Sequence, residues 1–205
     1  MNYKQDHIPK KKGKRPGTAM KPQYLTIHST GNPSSTAKNE RAWLTNPSNT
    51  RTASWHIVVD EREAIEAIPL NEVAFHAGTA AGNNTSIGLE ICESGNRQKT
   101  LAHAAEVAAS ILKKYGWGVD RLRRHYDWSK KNCPRILSAN NWAGWNDFKK
   151  LVQKELNKMS NTPSKWAKEA WEWAKKEKLL DGTRPKDPIT REELAVILQR
   201  MANKK

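Results

Sequence analysis

A chain of 205 residues with 37% hydrophobic side chains has room for one domain of ordinary size plus a small appendage, and this composition argues against wholesale disorder. No run approaches the ~18 apolar residues of a membrane span, and two cysteines are too few for a disulfide framework. The formal charge of +15 favours an anionic partner, whether nucleic acid, membrane or a phosphate-bearing wall, but no nucleic-acid motif accompanies it.

Residues 1–22 hold seven Lys or Arg against one Asp, with Gly and Pro among them, which predicts a basic, flexible lead-in. The apolar run of residues 24–28 predicts a first buried strand, closed by the turn material Ser29-Thr30-Gly31-Asn32-Pro33. Residues 37–45 predict a short amphipathic helix with Trp43 and Leu44 on its apolar side. Residues 54–60 and 64–68 predict a hairpin, and residues 86–92 a further strand after the loop Gly82-Asn83-Asn84-Thr85. Thr100 is a candidate N-cap for a long helix through Tyr115, with Gly116 suited to its stop. After the segment from His125 to Cys133, a last helix is expected at about residues 146–156. Residues 159–163 form a polar break. Beyond it, Trp166, Ala167, Ala170, Trp171 and Ala174 mark one helix face, and residues 181–188 read as a turn. Thr190 and Glu193 form a capping box before a helix striped with Leu194, Ile197, Leu198 and Met201.

Strands mixed with helices, without strict alternation, predict an α/β fold with a central mixed β-sheet flanked by helices, plus a small α-helical C-terminal unit. The expected organisation is a lead-in at 1–22, a catalytic domain at 23–158 and a helical unit at 159–205.

Three residues have the chemistry of one catalytic zinc site. His28 ends the first strand, and His125 and Cys133 bracket one loop. Two imidazoles and a thiolate leave a fourth tetrahedral position open, which separates a hydrolytic zinc from a structural one. Singly, each is weak, since a His ending a strand is more often structural and a Cys before Pro134 is more often packed. Cys92, within an apolar run, reads as a small buried hydrophobe. Company strengthens the group: Glu90 is a carboxylate inside an apolar strand, where desolvation raises its pKa toward the range useful for proton transfer. Lys131, two residues before Cys133, has the reach to stabilise an oxyanion.

These residues in this order resemble the zinc-dependent N-acetylmuramoyl-L-alanine amidases of the type-2 amidase family, which includes phage endolysins and is related to peptidoglycan-recognition proteins. The matching stretches are Leu25-Thr26-Ile27-His28-Ser29-Thr30, Ser54-Trp55-His56-Ile57-Val58-Val59-Asp60, Phe75-His76-Ala77-Gly78, Asn84-Thr85-Ser86-Ile87-Gly88-Leu89-Glu90 and Arg124-His125-Tyr126-Asp127 through Cys133-Pro134. The resemblance implies one Zn2+ per chain on His28, His125 and Cys133, with Glu90 as general base and Lys131 stabilising the transition state. It implies hydrolysis, by zinc-activated water, of the amide between N-acetylmuramic acid and the L-alanine of the stem peptide. Trp55 stands where some phage relatives carry a tyrosine, and an indole offers only an N–H donor. Trp55, His56, His76 and Asn84 match positions near the family's cleft and are candidate substrate-binding residues. The competing reading is a non-catalytic peptidoglycan receptor of the same fold. Such relatives commonly lose the cysteine ligand, which is present here.

The tail is similar to one S-layer homology repeat, a unit that binds anionic secondary polymers of Gram-positive walls. The expected partners are therefore peptidoglycan and those polymers, without a specific nucleic acid or a membrane span. With no signal-peptide core after Met1, the chain is expected to be made in the host cytoplasm and to act at the bacterial wall after release, as an endolysin or autolysin.

Overall fold

The computed structural model describes residues 2–160, 162–183, 185–186 and 189–203. The elements are β1 (Tyr3–Gln5), β2 (Tyr24–Ser29), α1 (Ala37–Trp43), β3 (Ile57–Val59), β4 (Ala64–Glu66), α2 (Ala80–Thr85), β5 (Ser86–Ile91), α3 (Arg97–Tyr115), β6 (Leu122–Arg124), α4 (His125–Ser129), α5 (Ala139–Ser160), α6 (Lys168–Lys176) and α7 (Arg191–Ala202). Contacts divide the chain into two compact units, Met1–Gln153 and Lys154–Lys205. The division falls inside α5, a few residues before the boundary expected at 158.

The first unit is built on one mixed sheet in the order β1-β4-β3-β5-β2-β6. β3 and β4 pair antiparallel as the expected hairpin, and the other neighbours are parallel. β2 and β5 are the longest strands and pair over six residues, from Tyr24 with Ser86 to Ser29 with Ile91. Alternation then sorts their side chains. Leu25, Ile27, Ile87, Leu89 and Ile91 fall on one face and are fully buried. Thr26, His28, Ser86, Gly88 and Glu90 fall on the other. α3 packs on β2, β3 and β5. Its buried side is rich in alanine (Ala104, Ala105, Ala108) with Ile111 and Leu112, which permits a close approach to the apolar face. The polar face of the two central strands is left to carry chemistry.

The structure corrects the expectation of a flexible lead-in. β1 adds a parallel edge strand to β4, the Ile8 amide bonds the Ala67 carbonyl at 2.9 Å, and the Ile8 side chain is 1% exposed. Arg15 binds both Glu72 carboxylate oxygens at 2.8 Å, and Met20 and Thr18 make backbone bonds to Asn71 and Val73. The Lys-, Gly- and Pro-rich composition conceals these anchors, because two apolar side chains and a free sheet edge suffice to hold the segment.

Smaller differences have local causes. α3 starts at an Asn96 cap, whose side chain accepts from the Lys99 amide, rather than at Thr100, which is buried in the first turn. The expected loop before β5 is the helix α2, capped by Thr79. α5 begins earlier than expected, with Asn140, Asn141 and Trp142 in left-handed conformation before its regular part.

In the second unit, the Thr190–Glu193 capping box opens α7 as expected. Leu179 is buried, while Trp173, Leu194, Leu198 and Met201 are exposed. Parts of the expected turn at 181–188 (residues 184, 187 and 188) and residue 161 of the polar break lie outside the described residues. Among the described residues, no helix is long and apolar enough to cross a membrane.

Candidate metal centre

Sheet register brings the first two donors together. β6 pairs with β2 up to Arg124 opposite Ile27, so the next residues on the two strands are His125 and His28. Their rings meet with centroids 4.7 Å apart and their Nδ1 atoms at 3.1 Å. α4 starts at His125 and is held to the sheet by Trp128, whose indole N–H donates to Thr26 Oγ1 at 2.9 Å. Lys130 then turns the chain in a left-handed conformation and returns Cys133 toward β2. Cys133 Sγ lies 3.8 Å from His28 Nδ1. The loop end is clamped: Arg135 binds both oxygens of the buried Glu93 carboxylate, and its amide donates to Ser29 Oγ at 3.2 Å. The Gly31 amide also donates to Glu93.

His28, His125 and Cys133 are all buried, and their donor atoms lie within 4.8 Å of one another. A tetrahedral zinc with bonds of ~2.0–2.1 Å to nitrogen and ~2.3 Å to sulfur requires ligand separations of roughly 3.3–3.6 Å. The two separations made by His28 Nδ1, 3.1 Å to His125 Nδ1 and 3.8 Å to Cys133 Sγ, lie either side of that range, and the donor set fits such an ion in type.

Glu90 sits beside this group because it pairs in register with His28 on the neighbouring strand. Its Oε1 is 3.9 Å from His28 Nδ1, and its Oε2 is buried with no hydrogen-bond partner. Burial, reinforced by the Glu40 carboxylate and opposed by Lys131, pushes the Glu90 carboxyl up to about 8. Burial likewise pushes the Cys133 thiol up to about 12, with Glu90 adding to it. His125 is lowered to about 4 by burial and by the Lys131 charge. Lys131 is itself exposed on the loop, yet its charge is felt at His28, His125, Glu90 and Cys133 alike. The arrangement therefore joins three soft or borderline donors, a buried carboxyl group with one unpartnered oxygen, and a nearby cation.

The remaining sequence candidates have mixed placements. His56 is fully buried: its Nδ1 accepts from the Gly88 amide and its Nε2 donates to the Glu72 carbonyl, both at 2.8 Å. His76 is buried against His28, with His28 Nε2 and His76 Nδ1 at 3.0 Å. Trp55 packs against the apolar clusters around Ile8 and Val58, and its buried indole nitrogen has no partner. Asn84 is exposed on α2, whereas Asn83 accepts from the His76 and Ala77 amides at 2.9 and 2.8 Å. Glu93 and Arg135 escape sequence reasoning because they meet across the fold, and Asn83 because its side chain takes the His76 and Ala77 amides in an irregular loop with no sequence pattern. Gly88 was the one readable signal. A lone glycine inside a buried strand marks a close approach, and here a Cβ would stand 2.7 Å from the His76 ring.

Comparison with known proteins agrees with this geometry. The family model described as N-acetylmuramoyl-L-alanine amidase matches residues 18–136. The N-acetylmuramoyl-L-alanine amidase XlyB of Bacillus subtilis (strain 168) is 44% identical over 147 residues, covering 68% of this chain and 44% of that protein. The N-acetylmuramoyl-L-alanine amidase CwlA of the same organism is 42% identical over 148 residues, covering 68% and 52%. The chain spans about half the length of the curated relatives it matches. Among solved structures, the catalytic domain of XlyA superposes with a TM-score of 0.68 at 37% identity, covering 74% of this chain and 99% of that one. PlyL superposes with a TM-score of 0.67 at 32% identity, covering 76% and 99%. The mixed sheet with flanking helices is thus the type-2 amidase fold, and the chain belongs to the N-acetylmuramoyl-L-alanine amidase family.

Proposed function

We propose that this chain is a zinc-dependent peptidoglycan hydrolase of endolysin type, cleaving the amide between the lactyl group of N-acetylmuramic acid and the L-alanine of the stem peptide. The observation that carries this reading is the convergence of His28 Nδ1, His125 Nδ1 and Cys133 Sγ beside the unpartnered Glu90 carboxylate oxygen. His28, His125 and Cys133 would hold one zinc ion. Bound there, it supplies a Lewis acid that polarises the amide carbonyl and acidifies water.

The chain's own groups do the rest. Glu90 takes the proton from the attacking water and returns it to the departing alanine amine. Lys131, whose charge already reaches every group of the site, stabilises the oxyanion of the tetrahedral intermediate. The names of the relatives, amidases in Bacillus and an endolysin from Bacillus subtilis at 37% identity, support the same substrate.

Residues 23–158 form the catalytic part in this reading. Residues 159–205, similar to one S-layer homology repeat, contact anionic secondary wall polymers.

Zinc content and turnover, measured together, test the site. Wild type should carry one zinc per chain, and His28→Ala or Cys133→Ala should lose both metal and activity. Glu90→Gln should keep the metal and lose about 100-fold or more of turnover. Equal zinc loss in Glu90→Gln would contradict its role as base.

A further inference from the structure

Behind the metal-ligand group, buried imidazoles form a chain whose direction is set at one end by a carbonyl. His76 Nε2 lies 3.0 Å from the Ser86 carbonyl oxygen. That oxygen can only accept, so neutral His76 carries its proton on Nε2 and offers Nδ1 as an acceptor. The atom facing His76 Nδ1, at 3.0 Å, is His28 Nε2. His28 must then carry its own proton on Nε2. This leaves a bare lone pair on His28 Nδ1, the atom 3.1 Å from His125 Nδ1 and 3.8 Å from Cys133 Sγ.

We infer that His76 is a positioning residue of the metal centre: it relays the Ser86 carbonyl to His28 and locks His28 in the one tautomer whose lone pair points at the other two donors. Metal-binding histidines generally need such a partner on their second nitrogen, and it is most often a carboxylate, a carbonyl or water. Here a second imidazole takes that place. The surrounding structure is built around it. The two amides at His76 and Ala77 converge on Asn83 Oδ1 and fix the backbone from which the ring projects. Gly88, in register with Thr26 on the same face, supplies the space for the ring, since any Cβ there would meet it. The His28 and His76 rings are nearly perpendicular, at 87°, and their centroid spacing of 5.1 Å with 3.0 Å between the nitrogens is that of two rings meeting nitrogen to nitrogen. Ala77 completes the support by hydrogen-bonding the second metal-binding imidazole, His125, through its backbone.

The consequence for metal affinity rests on the zinc reading above, but the tautomer is a property of the metal-free chain and is measurable without it. Ring ¹⁵N–¹H correlation spectra of the full metal-free chain should show both His28 and His76 as Nε2–H tautomers. A wild-type His28 protonated on Nδ1 overturns the inference, whether or not the chain binds zinc. Zinc affinity by chelator competition gives the second arm. His76→Leu removes the acceptor and should weaken zinc by about 10- to 100-fold. His76→Asn restores an acceptor oxygen near the Nδ1 position and should recover most of that loss. Equal affinity in wild type and His76→Leu overturns the inference, as does a His76→Asn variant no better than His76→Leu. A wild type that binds no zinc would instead overturn the zinc reading, while the spectra still decide the role of His76.

Discussion

His56 donates from Nε2 to the Glu72 carbonyl and accepts at Nδ1 from the Gly88 amide, so both ring nitrogens are committed in the neutral form. A second proton on Nδ1 would face an N–H donor in a site closed to water. Burial accordingly lowers its pKa to about 4, and the neighbouring His76 falls to about 3 for the same reason. The sign follows from linkage: above the ordinary histidine value of ~6.5 both folded and unfolded chains are neutral and nothing is lost. As pH falls from there toward 4, the unfolded chain takes up protons that the folded chain refuses, and stability declines. His56 alone accounts for roughly 3 kcal/mol once pH is below both values. Folded Glu90, raised to about 8, holds its proton across the same window and opposes this loss, but the lowered His56, His76 and His125 together outweigh it. Urea unfolding of the metal-free chain should therefore show a falling free energy between pH 6.5 and 4.5, and a flat profile over that range would contradict the assignment. The metal-ligand candidates His28, His125 and Cys133, and the catalytic candidates Glu90 and Lys131, were legible in the sequence, because they stand in motifs whose order is distinctive. The role proposed for His76 was not, since its ring joins position 28 to the carbonyl at 86, and no local pattern encodes that link.

At the scale of elements, β2, the β3–β4 hairpin, β5 and α3 were readable from apolar runs and helical periodicity. β1 and β6 were not. Each is a three-residue segment with largely polar or charged side chains, Tyr-Lys-Gln and Leu-Arg-Arg, which shows no apolar run, and each pairs with the free edge that its neighbour offers. β6 matters most, since its register sets His125 opposite His28. β1 matters for stability, through the anchor that follows it. Ile8 packs with Leu44, Ala67, Ile68 and Ala74, so Ile8→Ala should cost about 2–5 kcal/mol by the usual penalty for a buried aliphatic truncation. Denaturant unfolding checks this, and a change within about 0.5 kcal/mol would mean that the segment is the mobile arm its composition suggests.

For the whole molecule, the +15 charge and the two-unit division bear on the proposed contact with the wall. The second unit buries little: Leu179 is 3% exposed, but Trp166 is 89% exposed and the α7 face carries exposed Leu194, Leu198 and Met201. A unit of that size rarely closes a core of its own, which fits a surface used for contact. Removing residues 162–205 should reduce co-sedimentation with purified Gram-positive walls while leaving cleavage of a small soluble muropeptide within about twofold. Unchanged sedimentation would reduce the unit to a packing appendage.

The most direct test of zinc-dependent cleavage is a digest of purified Gram-positive peptidoglycan by the full chain, with and without a zinc chelator, read by mass spectrometry. New N-terminal alanine, no new reducing sugar ends, and loss of cleavage with the chelator are expected. Binding to the wall without cleavage, or cleavage that the chelator leaves intact, would contradict zinc-dependent cleavage.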